Sequence, residues 1–92
     1  MGKEVVKMSR FLMLRDWLLD VGAGSPYDFW KYLRGRGVKV SYLTVVKYFW
    51  EARDLGLIEL VAEVPNSKGS PIKKKIYRVV PGKENDGRWF LG

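Results

Sequence analysis

The chain has 92 residues, which is enough for one small domain and too short for two independent cores. Hydrophobic residues make up 47% of the sequence and aromatic residues 14%, so the chain has the apolar area that disordered segments lack. Cysteine and histidine are both absent, which excludes disulfides, Cys/His zinc sites, thiol nucleophiles and imidazole bases. We therefore expect a globular protein that is not an enzyme and that has no cofactor and no metal.

The formal net charge of +7 is concentrated in one stretch of the chain. Residues 64 to 83 contain six basic side chains and no acidic one, whereas the other 72 residues contain 11 basic and 10 acidic side chains. A localised basic feature of this kind is typical of a protein that binds a polyanion. Nucleic acid is the predicted partner, with an acidic protein, a membrane surface or a merely solubilising charge as alternatives.

No segment has the features of a membrane span or a lipid anchor. The apolar residues 11 to 14 are followed by Arg15 and Asp16, so the stretch is too short and too charged to cross a bilayer. Position 6 is Val, where a myristoylation motif requires Ser or Thr. We expect a soluble cytoplasmic protein. The absence of glutamine is a composition common in thermophile proteins.

The first half of the chain predicts two helices. Apolar residues recur at helical spacing over residues 4 to 21, and Gly22 follows as a stop. Ser25 and Pro26 are a strong start signal for a second helix to about residue 34, in which Phe29, Trp30 and Leu33 are expected to be buried. Residues 35 to 37 break this helix, and residues 38 to 40 are predicted to be a short extended piece.

A third helix is predicted over residues 42 to 55, with Ser41 as its cap and Gly56 as its end. Three residues fall on one side of the helical wheel as the core stripe, and Thr44, Lys47 and Glu51 face away from it. The stripe consists of Val45, Phe49 and Ala52. Leu43, Val46 and Trp50 form an apolar flank beside the core stripe, and the predicted core leaves this flank uncovered.

The remaining residues predict a basic hairpin and a tail. Apolar residues alternate with others over residues 58 to 64, as in a half-buried strand, and residues 65 to 71 are rich in turn formers. Residues 74 to 80 are predicted to be the returning strand. Residues 81 to 87 form a loop, and the apolar residues 88 to 91 are expected to dock on the rest of the domain.

This order of elements resembles the winged helix-turn-helix family, an α+β fold of three helices followed by a two-stranded wing. Residues 41 to 49 are similar to the family's recognition helix, Gly56-Leu57-Ile58 to its exit, and residues 76 to 82 to its second wing strand. The resemblance covers roughly residues 8 to 82, so residues 1 to 82 are expected to form the winged-helix domain and residues 83 to 92 a C-terminal tail. Within this family, the chain looks similar to small archaeal transcription regulators, including virus- and plasmid-encoded ones.

The resemblance implies that double-stranded DNA is the partner, with the third helix in the major groove and the wing on the backbone. The family's DNA-binding positions correspond here to Ser41, Tyr42, Thr44, Lys47 and Tyr48 on the helix, and to Lys68, Lys73, Lys74 and Lys75 on the wing. The function expected from it is transcription regulation. A protein interaction module and an RNA or replication-complex component are the alternatives, and the three consecutive lysines could instead protect a strand edge.

The apolar flank of the third helix has two possible uses. It could form the surface of a homodimer, or it could be a slot into which the aromatic tail folds. The residues of this predicted surface are Leu43, Val46, Trp50, Trp89 and Phe90. Carboxylate pairs four residues apart, Asp16 with Asp20 and Glu59 with Glu63, are interpreted as surface charges because no histidine or nucleophile accompanies them.

Overall fold

A computed structural model describes residues 10–65 and 73–90. Over these residues the chain forms three α-helices, two antiparallel strands and a short 3-10 helix, so the predicted α+β class is confirmed. The elements are α1 (Arg10–Val21), α2 (Pro26–Gly35), α3 (Tyr42–Asp54), β1 (Ile58–Pro65), β2 (Lys73–Val79) and the 3-10 helix (Gly87–Phe90). None of the described helices is long and apolar enough to cross a membrane.

The helix boundaries follow the predicted capping residues. The Ser25 hydroxyl accepts a hydrogen bond from the backbone N–H of Asp28 at 3.2 Å, and Ser41 accepts one from the N–H of Thr44 at the same distance. Gly22 ends α1 with a φ of +89°, a conformation that L side chains rarely adopt. The predicted start of the first helix near residue 4 lies outside the described residues.

The core lies where the three helices meet the first residue of β1 and the last residues of β2. Val45, Phe49 and Ala52 of α3 are all completely buried, which confirms the predicted core stripe. The prediction for α2 is correct for Phe29 and Leu33 and wrong for Trp30, which is only half-buried. The other buried apolar side chains are Phe11, Leu14, Trp17, Leu18, Leu57, Ile58, Tyr77, Val79 and Trp89.

The sheet is extended by one residue from the connection between α1 and α2. Gly24 and Tyr77 exchange two backbone hydrogen bonds, each 2.9 Å long, so Gly24 pairs with the edge of β2 that β1 leaves free. A Cβ at Gly24 would overlap the indole ring of Trp17, so a side chain here is incompatible with this packing. The predicted extended piece at residues 38 to 40 forms no strand.

The expectation of a half-buried first strand is wrong beyond its first residue. Ile58 is buried, but Leu60, Val61 and Val64 are between 39% and 45% exposed. The strand register shifts between Leu60 and Ala62, which interrupts the regular alternation. The helices cover only the end of the sheet where β1 starts and β2 finishes. Most of β1 therefore projects beyond the core.

Residues 83–90 of the predicted tail fold back against α1. Trp89 is completely buried, its ring lies 5.2 Å from that of Phe11, and its indole N–H donates to the carbonyl of Lys83 at 2.7 Å. The expected docking of this segment is therefore confirmed for Trp89, although the ring docks on α1 instead of the apolar flank of α3. Because Trp89 is buried within one chain, it is not available to the predicted dimer surface.

Candidate nucleic-acid interface

The predicted DNA-binding residues of α3 occupy different environments. Ser41 caps the helix, and its hydroxyl lies 2.9 Å from that of Thr44, so these two side chains bond to each other at the exposed N-terminus. Lys47 is exposed, whereas Tyr48 packs partly against the core. Tyr42 is 44% exposed and lies against aromatic rings of α2. Ser41, Tyr42 and Lys47 are therefore the more accessible of the predicted contacts on α3, and Thr44 and Tyr48 are half-buried.

The three consecutive lysines of β2 differ in their surroundings. Lys73 and Lys75 are exposed and have no ion-pair partner among the described residues. Lys74 is half-buried, and its ammonium lies 3.3 Å from the Asp28 carboxylate in the first turn of α2. Lys68, the fourth predicted wing residue, lies outside the described residues. Two of the three lysines of β2 are thus free to meet a phosphate.

The Asp28 carboxylate contacts both the capping residue Ser25 and the strand residue Lys74. It accepts a hydrogen bond from the Ser25 hydroxyl at 2.8 Å as well as the contact from Lys74. Partial burial raises the pKa of Asp28, but the bonds from Ser25 and the charge of Lys74 outweigh it, so the pKa lies below its ordinary value. The carboxylate is therefore ionised at neutral pH and fixes Lys74 beside α2.

The acidic residues of β1 offset part of the positive charge on β2. The Arg78 guanidinium lies 2.6 Å from the Glu59 carboxylate, and Glu63 stands directly opposite Lys75 in the strand register. Opposite charges on paired strands stabilise the hairpin. The basic segment therefore presents fewer free charges than its sequence contains, and these are nearest the start of β2.

An open groove separates the apolar flank of α3 from the N-terminus of α2 and the start of β2. Its volume is about 620 Å³, within the range typical of ligand-binding clefts. No acidic residue is among the described residues that line it. The lining residues are Ser25, Pro26, Tyr27, Trp30, Tyr42, Val46, Phe49, Trp50, Lys73, Lys74, Lys75 and Tyr77. We call this feature the aromatic groove.

Three rings from two helices form one wall of the aromatic groove. The ring of Tyr42 lies 6.3 Å from that of Tyr27 and 5.9 Å from that of Trp30, and the latter two are 5.8 Å apart. The Trp30 indole N–H donates to the carbonyl of Val40 at 3.0 Å, which fixes the ring. Trp50 is 47% exposed and makes no ring contact with another described residue.

Two of the groove's aromatic residues were not identified as site residues from the sequence. Tyr27 and Trp30 each carry a cation four residues later on α2: the Lys31 ammonium lies 5.5 Å from the Tyr27 ring centre, and the Arg34 guanidinium 5.0 Å from that of Trp30. The aromatic and basic pairs at this spacing were the available signal, because residues four apart share a helix face.

The residues of the predicted dimer surface do not form one patch. Leu43 and Trp50 are 58% and 47% exposed on α3, with Val46 half-buried beside them. Phe90 is 62% exposed next to α1, where the Arg15 guanidinium lies 5.8 Å from its ring centre. The apolar flank of α3 and the end of the tail are therefore separate features.

The described residues contain no cluster of three or more side chains suited to a metal ion. The site that the structure offers is instead an exposed helix face, two free lysines and a groove lined with aromatic rings. Comparison with known proteins gives no family for this arrangement, since no family model, no curated protein and no solved structure matches the chain.

Proposed function

We propose that this protein binds double-stranded DNA as a winged helix-turn-helix protein and acts as a transcription regulator. The observed order of three helices and an antiparallel hairpin is compatible with that fold. In this proposal the N-terminal half of α3 enters the major groove, and the start of β2 lies along the neighbouring phosphates.

The observation that carries the proposal is the division of α3 into two faces. Val45, Phe49 and Ala52 are completely buried, while Lys47 and Leu43 are exposed on the other side. A helix with a free face and an exposed, capped N-terminus can approach the base edges without losing core contacts. Thr44 and Lys47 supply the polar groups for that approach.

The charge distribution supports the same partner. Six of the seven net positive charges lie in residues 64 to 83, and Lys73 and Lys75 of this segment are exposed. Lysines on a hairpin neutralise phosphates and position a protein on a duplex without reading its sequence. In this proposal the hairpin supplies affinity and α3 supplies sequence preference.

The first experiment is a titration of labelled random-sequence duplex with the full chain over a range of salt concentrations. We expect binding at low salt that weakens steeply as salt rises, because phosphate contacts release condensed counterions. The paired variant Thr44→Ala/Lys47→Ala should bind more weakly, with a change in unfolding free energy of about 0.5 kcal/mol or less, since neither side chain belongs to the core.

The control is Glu51→Ala, which removes an exposed acidic side chain of α3 beyond the predicted contacts. This variant should bind the duplex no more weakly than the wild type. Failure of the wild type to bind duplex at low salt would contradict the proposal and would favour a protein interaction module, for which the exposed Leu43 and Trp50 provide an apolar surface.

A further inference from the structure

The aromatic groove places exposed aromatic rings beside basic side chains, and binding of duplex DNA makes no use of the faces of these rings. Its described lining contains six aromatic side chains and three lysines, and no carboxylate. We propose that the groove binds a single strand of DNA, whose unpaired bases stack on the rings while its phosphates lie along the lysines.

The rings are accessible enough to receive bases. Tyr27, Tyr42 and Trp50 are 41%, 44% and 47% exposed. In a duplex the base faces are covered by neighbouring base pairs, so these rings have nothing to stack on there. In a single strand each base offers a free face, and stacking on an aromatic side chain is tolerant of sequence.

The aromatic groove is already formed without a ligand. The mutual contacts of Tyr27, Trp30 and Tyr42 and the hydrogen bond from Trp30 to Val40 hold one wall in place. The indole N–H of Trp50 has no hydrogen-bond partner among the described residues, and its ring faces no other described ring. Trp50 therefore offers an unused stacking surface and an unused donor in the same groove as the fixed rings.

The positive charge of the lysines that line the groove favours an anionic ligand. Lys73, Lys74 and Lys75 all line the groove, whereas Asp28, the partner of Lys74, is not part of the lining. An apolar helix from another protein would cover the rings but leave Lys73 and Lys75 without partners. A nucleic-acid strand satisfies both features at once, because each nucleotide carries a flat ring and a phosphate.

Binding to a labelled oligothymidylate of about 12 nucleotides, a length within known single-strand site sizes, tests the proposal. Fluorescence anisotropy should show binding by the full chain at low salt. Tyr27→Leu and Trp50→Leu should each weaken it about tenfold, which corresponds to the loss of one base stack. Trp50→Phe should retain most of the affinity because it keeps an aromatic face.

Phe90→Leu is the matched control, since it removes an exposed ring that does not line the groove. It should bind the oligonucleotide like the wild type. Thermal melting of each variant identifies any loss of folding. As a second measurement, the oligonucleotide should quench tryptophan emission of the wild type, and Trp50→Phe should reduce that quenching.

Three results would overturn the proposal: no binding of the single strand at low salt, unchanged affinity in folded Tyr27→Leu and Trp50→Leu, or tighter binding of RNA of the same length. The duplex titration is run in parallel, so the two proposals can fail separately. Single-strand binding without duplex binding contradicts only the proposed function, and Tyr27→Leu should leave duplex affinity unchanged because Tyr27 lies outside the α3 contact face.

Discussion

The Lys74 ammonium lies 3.3 Å from the Asp28 carboxylate, which joins the start of β2 to the first turn of α2. The neighbouring Lys73 and Lys75 are exposed and have no ion-pair partner among the described residues. Three lysines that are equivalent in the sequence are therefore different in the folded protein. For the proposed binding of DNA, this difference predicts that Lys73 and Lys75 contribute more than Lys74.

Replacing all three lysines with alanine should flatten the dependence of log affinity on log salt by about 1 to 2 units, because each lost phosphate contact removes about 0.9. Lys73→Ala/Lys75→Ala should produce nearly the whole change, and Lys74→Ala little of it. Specific and random duplexes should weaken by similar factors, since phosphates carry no base identity. Affinities measured over a range of salt concentrations check this.

Two outcomes of this salt series would contradict the assignment of the lysines to phosphates. An unchanged slope in the triple variant would mean that the lysines protect a strand edge. A loss confined to one specific duplex would mean that they read bases. A slope that changes mainly with Lys74→Ala would show that the ion pair with Asp28 opens on DNA.

The tail is predicted to be part of the core. Trp89→Ala should lower the free energy of unfolding by about 3 to 5 kcal/mol, because it removes a completely buried ring and leaves a cavity beside Phe11. Phe90→Ala should change it by about 0.5 kcal/mol or less, since that side chain is 62% exposed. Urea denaturation measures both; equal effects would show that the tail does not dock through Trp89.

Gly24 and Gly35 differ in the space that the fold leaves for a side chain. Gly24→Ala should destabilise the protein by about 1 to 3 kcal/mol, because the added Cβ overlaps the Trp17 ring. Gly35→Ala should be neutral or stabilise by up to about 1 kcal/mol, since an added Cβ at the end of α2 meets no atom within 4 Å apart from its chain neighbours and its own helix backbone. Thermal unfolding of the two variants distinguishes these effects. A tolerated Gly24→Ala would contradict the close approach to Trp17.

The protein is predicted to lose part of its stability in acid through Asp86, in the loop before Trp89. Hydrogen bonds from the Arg88 side chain and backbone lower the pKa of Asp86 from its ordinary 3.8 to about 2. The ionised form therefore stabilises the folded state above pH 3.8, and this contribution is lost as the pH falls toward 2. Asp86→Asn should have a lower melting temperature than the wild type near neutral pH, and the difference should shrink through this range. A difference in melting temperature that stays constant over this pH range would contradict the lowered pKa of Asp86.

The helices could be predicted from the sequence because their signals are local. Ser25 and Ser41 cap α2 and α3, and the spacing of Val45, Phe49 and Ala52 defines the buried face of α3. The exposure of β1 could not be predicted, because alternation indicates a strand with two different faces and not whether another layer covers one of them. Its hairpin extends beyond the helices, which leaves Leu60 and Val64 exposed.

Of the candidate site, only the exposure of individual side chains could be predicted from the sequence. Lys47, Lys73 and Lys75 were identified from charge and position, and they are exposed. The pairing of Lys74 with Asp28 joins residues 46 positions apart, so it depends on the packing of β2 beside α2. The aromatic groove likewise requires α2, α3 and β2 to be assembled before its rings face one space.

The central claim is that the N-terminal half of α3 and the start of β2 meet duplex DNA together. The most direct test is the change in backbone amide chemical shifts when a short duplex is added to the isotopically labelled protein. We expect the largest changes at residues 41–48 and 73–75, with little change at residues 11–21 and 87–90. Large changes confined to α1 and the 3-10 helix would contradict the claim.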